Sequence, residues 1–206
     1  MKLPHNISRV EAFSDAVFAF AATLLVVSVG SENSNSILKV DWLVFLSFGV
    51  SFFVLVGLWF VHYNFFRRTN YMDNWIIALN AVLLFVVLYY IFPLKSLINT
   101  WIGKQKMSME SFSSLFQLYS LGFCLIFLCL SLMYFRAFKK SKSIKNIELL
   151  FFARHFAIYV FVSLISIALA KSKIGLEIVL PGIIYSILGP LCYFHGVWFN
   201  KKYQLD

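Results

Sequence analysis

Charge is what this sequence has least of. Asp, Glu, Lys and Arg make up 13% of its 206 residues, about half the share of a soluble globular domain. Acidic side chains are scarcest, nine against eighteen basic ones. The three cysteines, Cys124, Cys129 and Cys192, lie inside apolar runs with no C-x-x-C or Cys/His spacing. That pattern excludes a disulfide framework and a zinc site, and leaves them as small buried hydrophobes. No G-x-S-x-G, H-E-x-x-H or glycine-rich phosphate loop occurs. No catalytic residue, metal ligand or cofactor is therefore assigned. Proline is also rare, four in all, so long stretches run without a helix breaker.

Apolar length fills the space these absences leave. Hydrophobic residues reach 61% and mean hydropathy is +0.81, which defines an all-α integral membrane protein. Six apolar segments are predicted as transmembrane helices, at about 9–30, 41–66, 74–97, 111–135, 147–170 and 176–200. Together they make one six-helix domain over 1–206 with no room for a soluble catalytic domain. No internal repeat is visible. Pro93 is expected to kink the end of the third helix, and Pro181 with Gly189-Pro190 to interrupt the sixth. Asp73 is the predicted N-cap of the third.

The first segment organises the rest. Ser8 and Glu11 form a capping-box pattern, and no proline or glycine follows until Gly30. Lys2, Arg9, the apolar run and Ser28-Val29-Gly30 have the outline of a signal peptide. Glu11 and Asp15 inside that run argue against one. Winding the segment at about 100° per residue puts Phe13, Ala16, Phe20, Thr23, Leu24 and Val27 on one stripe. Glu11, Ser14 and Asp15 fall off it. Acidic groups at this depth are costly and face protein or water, which marks the helix as a candidate functional element.

The net charge of +9 is read as orientation, not as nucleic-acid binding. Twelve Lys and Arg fall on the side of the N-terminus, of Arg67 and Arg68, of the 136–145 linker with Arg154, and of the C-terminus. Six fall opposite: Lys39, Lys95, Lys104, Lys106, Lys171 and Lys173. Both termini are thus expected in the cytoplasm. The basic run at 136–145 serves as a topology signal; a second use for it is attraction of anionic lipid headgroups. Trp59 and His62 share a face of the second helix, and Asn80 lies two turns into the third. With Asp15 they are expected to form a buried polar cluster joining three helices. A structural hydrogen bond is the simpler role for His62, and no second histidine nearby in sequence supports a metal.

Arg9-x-x-x-Phe13-Ser14-Asp15, the run AVFAFAATLLVV, Trp59-x-x-His62, Leu79-Asn80 and Pro93 together resemble the transmembrane protein 175 family, the potassium channels of bacteria and lysosomes. The resemblance covers the first half of the chain; later segments match mainly in hydropathy. It implies a homotetramer in the cell membrane, with the first helix of each copy lining a central pore and no carbonyl filter loop. It further implies a hydrophobic constriction at Phe20, a threonine ring at Thr23 where potassium ligates transiently, and an apolar ring at Val27. Arg9, Phe13, Ser14, Asp15, Trp59, His62 and Asn80 become its structural network. One departure stands out: the family usually carries isoleucine or leucine where this chain has Phe20. The alternative reading is a small proton-coupled transporter or a non-conducting scaffold built on the Asp15/His62 cluster. An uninterrupted first helix and the lack of repeats favour the channel, whereas the broken sixth segment keeps the alternative open.

Overall fold

The computed structural model of the protein describes residues 6–30, 42–102, 107–140 and 147–203. Lys2, Lys39, Asp41, Lys104, Lys106 and the polar loop at 31–36 lie outside the described residues. Five long helices come first: α1 (Ile7–Gly30), α2 (Trp42–Arg68), α3 (Asn74–Trp101), α4 (Met109–Lys140) and α5 (Ile147–Lys171). The last span is assembled from a 3-10 turn (Leu176–Ile178), α6 (Leu180–Ile183), a second 3-10 turn (Ile184–Ile187) and α7 (Leu188–Tyr203). Six of the resulting spans are long and apolar enough to cross a bilayer, so the chain is a multi-pass membrane protein.

Several boundaries differ from the sequence expectation, each for a local reason. The capping box does not form. Helix α1 starts a residue before Ser8, and the Asn6 side chain accepts the Arg9 N–H at 3.4 Å and the Ser8 hydroxyl at 2.6 Å, the geometry of an asparagine N-cap. Helix α3 runs past the expected end near 97 to Trp101, with Pro93 buried inside it. The basic linker divides: Arg136 to Lys140 belong to α4, with Lys139 and Lys140 in its last turn, where cations suit the helix dipole, and 141–145 lie outside the described residues.

The sixth span is the irregular one. Gly175 and Val179 both take left-handed backbone, φ 66° and 58°, and a β-branched residue there is a conformational outlier. Pro181 follows at once and cannot donate a helical N–H. Serines replace the missing order. Ser166 of α5 donates to the Pro181 carbonyl at 2.7 Å and meets Ser120 of α4 at 2.8 Å.

Packing divides the chain into two halves. Helix α1 rests on α2 and α3, whereas α4 pairs with α5 along most of its length and α3 joins the two halves. Closeness at that junction depends on Gly122, where an added Cβ would stand 2.6 Å from the Tyr90 ring. Two ion pairs tie the halves at the end of the bundle that carries Ile7. Arg68 of α2 bonds Glu148 of α5 at 2.9 Å. Asp73 caps α3 through the Ile76 N–H at 3.0 Å and accepts Arg136 of α4 at 2.8 Å and the Tyr71 hydroxyl at 3.0 Å.

Asp73 therefore gives a pH prediction. Burial alone pushes its carboxyl up, but the Ile76 N–H, Arg136 and Tyr71 outweigh it and hold it below the usual carboxylate range. A depressed folded value contributes stability above the unfolded pKa of about 3.9 and loses it as pH falls through the folded value. Asp73→Asn keeps a good cap but removes the charge, and should cost up to about 1 kcal/mol at neutral pH. Asp73→Ala should cost about 1–2 kcal/mol because the cap goes too. In detergent melts, the gap between wild type and Asp73→Asn should close only below about pH 4.

Candidate functional site: the two faces of helix α1

Helix α1 has one face inside the protomer and one outside. Ser14, Phe18, Ala21 and Leu25 are buried, at 0–5% exposure, against α2 and α3. The opposite face carries Phe13, Phe20 and Val27, exposed at 63%, 57% and 69%. Arg9, Ala16 and Thr23 are exposed on that same face, and Leu24 is half-buried at its margin. The Thr23 hydroxyl donates to the Phe20 carbonyl at 2.7 Å. Its hydrogen is thus used within the helix, and its lone pairs are left for an outside partner.

The polar residues of the buried face are linked by two sets of hydrogen bonds at one depth. Trp59 of α2 donates its indole N–H to Asp15 at 2.8 Å. Independently, His62 of α2 meets the Asn80 amide oxygen of α3 at 2.7 Å, and the Asn80 amide donates to Ser14 of α1 at 2.9 Å. Ser14 passes its own hydrogen to the Val10 carbonyl at 2.8 Å. Three helices are thereby joined by directional bonds at one depth, and lipid offers these groups no substitute partner. Phe18 and Phe66 flank the His62 ring at 5.3 and 5.0 Å and keep it dry.

A cleft of 350 Å³ opens beside Asp15 between α1 and α2, walled by Phe18, Ala22, Phe52 and Trp59. Glu11 is half-buried near the start of α1. Among the described residues no group of three His, Cys, Asp or Glu side chains is placed to hold a metal. Sequence reasoning missed the serine bonds of α4 and α5 and the paired Ser47 and Asn99, 2.6 Å apart between α2 and α3. Their only signal was small hydroxyls inside apolar runs.

His62→Ala tests what the three-helix chain is worth. It strands the Asn80 oxygen and empties the space between two phenyl rings. The bond alone is worth at most about 1–2 kcal/mol in lipid, and the cavity adds to it. Thermal midpoints in detergent should fall for His62→Ala and for Asn80→Ala. An unchanged midpoint in both would show that helix packing suffices without the bonds.

Fold and site together define a small multi-pass helical membrane protein whose first helix keeps an unpartnered face. Residues 9–93 match the family model of the endosomal/lysosomal potassium channel TMEM175. A potassium channel of Marivirga tractuosa is 36% identical over 147 residues, 64% of this chain and 60% of that relative. The chain thus spans under two thirds of that relative's length. Among solved structures, a variant of the potassium channel MtTMEM175 bound to a nanobody fusion superposes with TM-score 0.73 at 28% identity. That match covers 97% of this chain and 95% of that one. A lysosomal potassium-selective channel TMEM175 homolog from Chamaesiphon minutus shares the fold, with TM-score 0.60 at 22% identity over 94% and 98% of the two chains. The chain is thus similar to TMEM175 channels in sequence over residues 9–93 and in fold along most of its length.

Proposed function

We propose that this chain is the subunit of a potassium-selective channel in the cell membrane, a homotetramer with both termini in the cytoplasm. Its pore is formed by the exposed face of α1. Phe20 makes the hydrophobic constriction, Thr23 a ring of hydroxyls that ligates potassium in passing, and Val27 a further apolar ring. The observation that carries this reading is the outward stripe of α1. The Thr23 hydroxyl gives its hydrogen to the Phe20 carbonyl and keeps its lone pairs outward, and four copies around an axis would turn these into an ion ligand. The relatives this chain resembles are potassium channels, and the orientation is supported by the excess of Lys and Arg on the side of the termini.

One helix per chain cannot enclose a pore, so the reading requires several copies. Purified protein in mild detergent should have the mass of four chains. Reconstituted in liposomes, it should release potassium down its gradient without a coupled ion once a protonophore clamps the voltage. A stable monomer, or flux that stops when the proton gradient is removed, would contradict the proposal.

A further inference from the structure

Helices α5 and α7 run antiparallel and meet at the bundle end that holds Ile147 and Tyr203, where the rings of Phe151 and Phe199 touch at 5.1 Å. We propose that the seam between α5 and α7 at this end holds the phosphate headgroup of an anionic phospholipid, with Arg154 and Lys202 as its cationic grips.

The first observation is uncompensated charge. The Arg154 guanidinium lies 6.0 Å and the Lys202 ammonium 4.9 Å from the ring of Trp198, so two cations share one half-exposed indole. Among the described residues neither meets a carboxylate, and Glu148, in the first turn of α5, is committed to Arg68. Arg154 stands seven residues inside α5, about 10 Å from the helix end, deeper than a topology signal requires.

The second observation is unused hydrogen-bonding capacity. The rings of His155 and His195 face each other across the seam at 5.6 Å. Among the described residues, Nδ1 of both and Nε2 of His195 meet no hydrogen-bond partner. Each neutral imidazole carries one N–H, so a phosphate oxygen that enters the seam meets one donor on each ring.

The third is the flank. Phe194 and Val197 are 66% and 52% exposed on α7 beside Trp198, a surface for acyl chain below an aromatic residue at the headgroup level. Cations, N–H donors and an apolar flank in that order complement an amphiphile with a negative head. Basic pockets between membrane helices are a recognised form of headgroup site. A zwitterionic lipid brings the same phosphate with its own cation, which offsets the attraction. The site does not depend on ion conduction, and only the leaflet it faces follows from the proposed orientation.

Bromine-labelled phosphatidylglycerol and phosphatidylcholine, titrated into the whole protein in mixed micelles, test this through tryptophan quenching. The Trp198 component is the difference between wild type and Trp198→Phe. Phosphatidylglycerol should quench it at lower mole fraction than phosphatidylcholine. Arg154→Gln and Lys202→Gln should each raise the half-quenching fraction about fivefold, the factor that corresponds to about 1 kcal/mol per basic residue. Arg67→Gln and Lys139→Gln, exposed cations at the same bundle end, should leave it unchanged. Equal quenching by both lipids, or an Arg67→Gln effect as large as that of Lys202→Gln, overturns the site in favour of diffuse surface charge. Loss of the phosphatidylglycerol preference in millimolar inorganic phosphate would assign the site to a free anion instead. Should Arg154→Gln fail to fold, Lys202→Gln at the exposed helix end carries the test.

Discussion

Thr23→Val should abolish most of the preference for potassium over sodium while leaving the assembly intact. Valine reproduces the shape of threonine and deletes only the oxygen. Thr23 is exposed on the protomer, and its one hydrogen bond runs back to the Phe20 carbonyl, so no interhelical bond is lost. What disappears, in the proposed tetramer, is a ring of four hydroxyl oxygens that replaces part of the hydration shell of a passing ion. If that ring separates the two ions by only about 1.4 kcal/mol, the permeability ratio falls tenfold. Reversal potentials under bi-ionic conditions read this directly. A wild-type ratio in Thr23→Val would remove the hydroxyl ring from the account of selectivity.

Phe20→Ala should raise conductance for every monovalent cation. An apolar neck stops ions because they must shed water with nothing in exchange. Phe20 is 57% exposed on the protomer, so shortening it opens no cavity in the core and widens only the proposed pore. Lowering the dehydration barrier by about 1.4 kcal/mol raises flux roughly tenfold. Single-channel recordings in symmetric potassium and then symmetric sodium should both show the increase. Together the two variants separate roles: one changes the ratio of the ions, the other their common rate. If neither variable moves in either variant, the stripe packs against protein and any pore lies elsewhere.

The two faces of α1 were legible because helical periodicity is a local property. Phe13, Ala16, Phe20, Thr23 and Val27 separate from Ser14 at 100° per residue whatever the rest of the chain does. The six apolar segments were legible for the same reason, since length and hydropathy are read one segment at a time. Pairing was not. Trp59, Asp15, His62 and Asn80 can be put at one depth from sequence, but whether His62 turns to Asp15 or to Asn80 depends on crossing angles between α1, α2 and α3. The start of α1 was misassigned because Ser8 and Glu11 fit a capping box, while Asn6 two residues earlier takes the cap. The end of α3 was read near 97, whereas the helix runs through Pro93 to Trp101, with Tyr90, Ile91 and Leu94 buried beside the proline. The α5/α7 seam left no trace in sequence, because Arg154 and Trp198 are far apart in the chain and meet only through the antiparallel return of α7.

The central claim is that the exposed face of α1 lines the conduction path, and thiol accessibility during conduction tests it most directly. Cys124, Cys129 and Cys192 are first replaced by alanine, and cysteine is then placed singly at Thr23 or at Leu25 in otherwise identical channels. Thr23→Cys should be blocked by an aqueous methanethiosulfonate cation added to conducting channels. Leu25→Cys, on the face that is 1% exposed, should be untouched. Block at Leu25→Cys with none at Thr23→Cys, or complete labelling of Thr23→Cys without change in potassium current, would contradict the account.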